Sequence, residues 1–157
     1  MSCSLLVAAS LLFTDPSAAT APVAATVVEA PVSVAGEPMF ADIVTRSGAL
    51  KAIVDGWMAT NAADTDGFFA TTAFTGFKAQ ALDLAERDMA GHLVLKERGT
   101  DGDLKCILRG ISEDMPKKIA AVEAAPTKAE RDVALSELAY LLNDNVEVIT
   151  APPQPEV

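Results

Sequence analysis

An all-α fold, a bundle of four or five helices, is what this 157-residue chain predicts. Three observations point there. Beyond Pro38 apolar residues recur at three- and four-residue spacing, the period of a helix with one buried face. Between these stretches lie short segments rich in Gly, Asp, Asn and Thr, residues that end and start helices. Before Pro38, in contrast, the chain carries no lysine or arginine and no helical stripe, so the domain begins where the mixed charge begins.

The first helix is expected from Met39 to Ala62, with Phe40, Ile43, Val44, Leu50, Ile53, Val54 and Trp57 as its stripe. Pro38 suits a first turn, because its missing N–H is one that a helix start leaves unpaired, and Asp42 lies near the positive helix end. Asn61 to Gly67 is the break. A second helix follows over Thr71 to Arg98, its stripe read as Phe74, Phe77, Ala81, Leu82, Ala85, Met89 and Leu93. Gly99 is placed as the left-handed residue that closes it.

Thr100 with Asp103 approximates a capping box for the third helix. Leu104, Ile107, Leu108, Ile111, Met115, Ile119 and Val122 share a face across Pro116, which predicts a kinked helix or two abutting ones. Thr127-Lys128-Ala129-Glu130 is a T-x-x-E box opening the last helix. Its stripe is Leu135, Leu138, Ala139 and Leu142. Asn143-Asp144-Asn145 is read as its end, and Val146 to Ile149 as a candidate short strand.

The ends read differently. Leu5 to Phe13 is a nine-residue apolar run, too short to cross a bilayer but the length of a signal-peptide core. The small residues Ala18, Ala19 and Ala21 follow as cleavage sites. Met1-Ser2-Cys3-Ser4 lacks the basic residue that such leaders usually carry. Pro22, Pro31 and Pro38 block helix and central strand. The expected organisation is therefore a signal peptide over 1–21, an extended linker over 22–38, a helical domain over 39–149 and a proline-rich tail over 150–157. Location in the periplasm or outside the cell follows from the leader; without it, the cytoplasm.

Charge limits the partners. The chain has a formal charge of −10, and Met39 to Ile149 alone holds 18 acidic and 12 basic residues. Such a field repels phosphate backbones and anionic lipid, so no nucleic-acid partner is expected. The mature chain has no stable membrane span. The oligomeric state is not legible.

Few residues suggest chemistry. His92 is the only histidine, and Asp88 precedes it by four, so the two can meet on one helix face as a general base oriented by a carboxylate. The simpler reading is an exposed or half-buried histidine tied to Asp88, with Asp83, Glu86, Arg87 and Asp88 on the surface. Cys106 lies about 200° around the helix from Leu104, away from the stripe. It reads first as a small buried residue, and second as a reactive thiol favoured by Lys105 and Arg109. Asp64-x-Asp66-Gly67 and Asp101-Gly102-Asp103 resemble calcium loops, but neither has the bidentate Glu at the twelfth position, so turn and cap chemistry explains them. Glu113, Asp114, Lys117 and Lys118 read as a solvated face.

No phosphate loop, dinucleotide fingerprint, zinc motif or nucleophile elbow occurs, and no catalytic, metal or cofactor site is expected. The alanine-rich acidic composition is of a high-GC bacterial style. Together these features predict a non-enzymatic helical protein of the bacterial envelope that acts through protein–protein interaction. The alternative is a carrier of small apolar ligands or lipid, with Trp57, Phe68, Phe69, Phe74, Phe77 and Met89 lining a cavity.

Overall fold

Connections of three residues between the second and third helices and between the third and fourth make each of these pairs run back along one another, and eleven residues join the first to the second. The computed structural model describes residues 33–100 and 102–151. Within them α1 (Pro38–Thr60), α2 (Thr72–Arg98), α3 (Gly102–Ala124) and α4 (Lys128–Thr150) form an all-helical bundle. Each helix packs on two others, in the ring α1–α2–α3–α4 closed by α4 on α1. No helix among the described residues is long and apolar enough to cross a membrane.

Several helix ends follow the sequence. Thr71 accepts the Phe74 N–H at 3.2 Å and caps α2, and Gly99 closes it at φ 70°. At the start of α4 the Thr127 hydroxyl accepts the Glu130 N–H at 3.3 Å and donates to its carboxylate at 2.6 Å. Asn61 takes the left-handed conformation at the end of α1. Arg98 forks onto both carboxylate oxygens of Glu37, each at 2.8 Å, tying the start of α1 to the end of α2.

Several expectations need correction. Of the two alternatives at Pro116, two abutting helices are ruled out, for α3 runs through the proline as one helix. The proline is on the exposed side, where water can take the Ser112 carbonyl that a missing N–H leaves without its helical donor. Val146 to Ile149 is the last turn of α4 rather than a strand, and Asn143-Asp144-Asn145 lies inside that helix. The extended segment does not reach Pro38 unbroken: Val34 to Gly36 forms a 3-10 turn, and Val34 is buried in the core. The signal peptide expected over 1–21, the linker as far as residue 32 and the tail from 152 lie outside the described residues.

The core is built from Phe40, Ile43, Val54, Phe74, Phe77, Leu84, Leu95, Leu108, Met115, Ile119, Leu138 and Leu142, all nearly or fully buried. Ile53, Leu82 and Leu93 were expected in it and are exposed. The true inner face of α2 is Phe74, Phe77, Ala81, Leu84, Ala85, Asp88, Gly91, His92 and Leu95. At one end of the bundle the Trp57 ring lies edge-on to Phe68 at 5.1 Å and to Phe77 at 4.7 Å between centroids. Phe69 meets Phe74 edge-on at 4.9 Å. These rings fill space against one another, the arrangement of a packed core.

Candidate functional site

Gly91 allows the closest approach of α2 to its neighbours. A Cβ built there would sit 3.2 Å from both Leu108 Cδ1 and Phe40 Cε1, and 3.6 Å from Ile43 Cδ1. That contact brings the polar residues flanking it, Asp88 and His92, into the interior, where both are buried.

They do not pair with each other as expected. Asp88 turns to α4, where Asn145 Nδ2 donates to its two oxygens at 3.1 and 3.0 Å. The same amide nitrogen donates to Ser47 Oγ of α1 at 3.0 Å. Ser47, Asp88 and Asn145 are each 0% exposed. One NH2 group with two hydrogens thus serves three acceptors, while Asn145 Oδ1 has no hydrogen-bond partner. Burial pushes the Asp88 carboxyl up to about 7, and the Asn145 hydrogen bond only partly opposes it. The surface reading of Asp88 is overturned.

His92 turns to α3, its Nδ1–H donating to the Lys105 carbonyl oxygen at 2.6 Å. A carbonyl only accepts, so the contact selects the tautomer with its proton on Nδ1. Asp88 therefore ties α2 to α4 and His92 ties it to α3, while Asn145 carries the link on to α1, and the orienting carboxylate that a histidine base needs is engaged elsewhere.

Cys106 is exposed, not buried. Asp64, read as turn chemistry, holds α4: Arg131 meets it at 2.8 Å and Lys128 at 3.1 Å. The hydrogen bond from Lys128 keeps the Asp64 carboxyl below its usual value. Among the described residues no cluster of His, Cys, Asp and Glu is arranged to hold a metal.

A second feature lies on the outside. Val133 and Tyr140 are 58% and 71% exposed, two turns apart on the side of α4 opposite its core face. With Leu141, Ser136, Asp132 and Glu137, and Lys118 from α3, they line an open groove of about 620 Å³. Lys118, expected on a purely solvated face, reaches Glu137 at 2.7 Å and forms one wall of it. The groove was not anticipated from the sequence. Its signal was there: an apolar residue and an aromatic one seven positions apart, out of phase with Leu135, Leu138 and Leu142.

The comparisons with known proteins find no matching family model, no matching curated protein and no matching solved structure.

Proposed function

We propose that this chain is a non-enzymatic helical protein of the bacterial envelope that binds another protein along the outer face of α3 and α4. One observation carries the reading: Tyr140, 71% exposed, stands with Val133 over the groove on the face of α4 that a bundle helix ordinarily keeps polar. A large, rigid aromatic side chain beside a shallow apolar groove is the usual anchor of a protein interface. Lys118, Asp132 and Glu137 supply the charged rim that surrounds such anchors. The leader-like run Leu5 to Phe13 with the small residues that follow it supports the envelope location. The aromatic set offered as a cavity lining packs ring on ring, which favours the interaction reading over a carrier.

The test is a photo-crosslinking residue at position 140, expressed in the native host, with the same residue at the exposed position 86 of α2 as control. A defined adduct with a second protein from position 140, absent from 86 and removed by Val133→Asp, is the expected result. No adduct from position 140, or the same set from both positions, would end the interaction reading. Recovery of the protein from the cytosol with its first 13 residues intact would end the envelope one.

A further inference from the structure

Three helices meet at a carboxyl group that no cation compensates. From α4 it is met by the uncharged Asn145, whose amide nitrogen also donates to the uncharged Ser47 of α1. Along α2 the nearest titratable group on the inner face is His92, one turn on and engaged with the Lys105 carbonyl. The third helix reaches this level of α2 through that carbonyl and the apolar Leu108. Arg46 and Arg87, neighbours in sequence of Ser47 and Asp88, point outward to Asp42 and Asp83. No lysine, arginine or histidine pairs with Asp88 among the described residues. A charge in that position is opposed by burial and relieved by one amide group alone.

The helix that supplies the amide lacks charge support at that end. Asn145 is in the C-terminal part of α4, where Asp144 and Glu147 lie against the negative end of the helix and the last turn has no basic residue. Asn143 and Asn145 are poor helix formers at the same place.

We propose that Ser47, Asp88 and Asn145 form a proton-operated latch: with Asp88 protonated its O–H supplies the donor that the buried Asn145 Oδ1 lacks, the amide N–H donates to the other carboxyl oxygen, and the C-terminal part of α4 closes against α1 and α2, whereas ionisation of Asp88 removes that donor and releases it. Acidification tightens the bundle, and mild alkalinity loosens one helix end rather than the whole molecule.

The direction follows from linkage. The folded carboxyl binds its proton up to about 7, whereas the ordinary value is 3.8. Between those limits the folded chain holds a proton that the unfolded chain has lost. Stability from this group is complete below the lower limit, falls as pH rises through the window, and levels off above the upper one. The whole window amounts to about a thousand-fold in the folding constant, near tenfold per pH unit.

The experiment uses the full chain and Asp88→Asn, which keeps the shape and removes the titration. First, the Asp88 side-chain carbon is titrated by NMR in the parent protein, a measurement that needs no variant. A midpoint near 7 is expected, and one below 5 overturns the latch. Second, amide-exchange protection is compared at pH 6 and pH 8. Protection over residues 143–149 should fall about tenfold in the parent, while that of Leu108 to Ile119 falls less. If Asp88→Asn folds, its α4 protection should not change between the two pH values. Equal loss in both helices, no loss in α4, or the same loss in Asp88→Asn would each refute the proposal.

Discussion

Valine at position 91 should damage this bundle out of proportion to its size. The Cβ alone would stand 3.2 Å from Leu108 Cδ1 and Phe40 Cε1, where carbon atoms ordinarily rest about 3.5–4.0 Å apart. Alanine would ask those two neighbours to move by a few tenths of an ångström. Valine adds two further methyl groups, and nothing around them leads to solvent: Leu108, Phe40 and Ile43 are each 0% exposed. Overpacking of this kind costs about 1–3 kcal/mol. Leaving glycine behind in a helix interior returns about 0.5 kcal/mol. The expected net loss is about 1.5 kcal/mol, or roughly 4–8 °C in Tm for a domain of this size.

The assay is thermal or urea unfolding followed by Trp57, the single tryptophan, which lies among Phe68, Phe74 and Phe77 and reports the packed state. Gly48→Val is the control, since nothing lies within 4 Å of a Cβ built at that exposed position in the middle of α1. Its stability should stay within about 0.5 kcal/mol of the parent or rise slightly. A Gly91→Val protein that melts with the parent, or no earlier than the Gly48→Val control, would refute the close approach of α2 to α1 and α3. It would also remove the reason given for the burial of Asp88 and His92.

Two further outcomes are expected. Thr127→Ala should cost about 1 kcal/mol, because it leaves the Glu130 N–H without its cap and breaks the 2.6 Å hydrogen bond to the Glu130 carboxylate; urea unfolding measures it, and an unchanged midpoint would contradict the capping box. Cys106, being exposed, should react with a thiol reagent in the folded protein about as fast as in the denatured one. Peptide mass mapping locates the label, and protection of Cys106 in the folded state would contradict its placement.

Helix existence was legible because it rests on recurrence: Phe40, Ile43, Leu50, Val54 and Trp57 mark one face of α1 whatever the other helices do. Caps were legible because Thr127 with Glu130 and Gly99 act within a few residues of themselves. The polar centre was not, and the cause is one of phase. On α2, Leu82, Met89 and Leu93 drew the stripe toward themselves, so Asp88 fell outside it. The face that packs is Ala81, Leu84, Asp88, Gly91, His92 and Leu95, and half of those residues carry no hydropathy signal. On α4 the same thing happens, since Asn145 continues Leu138 and Leu142 toward Ile149 at helical spacing but reads as a stop because asparagine favours turns.

Each of these residues is improbable inside when considered alone, for a buried carboxylate or amide without a partner costs several kcal/mol. Considered together they account for one another. An aspartate in phase on one helix and an asparagine in phase on another can satisfy in the interior what neither could alone, and a glycine three residues from the aspartate lets the helices close over both. Polar residues that fall in phase on two helices are thus evidence for each other. By the same reasoning, Tyr140, out of phase with every core residue of α4 and with no such counterpart within the bundle, points to a surface outside it.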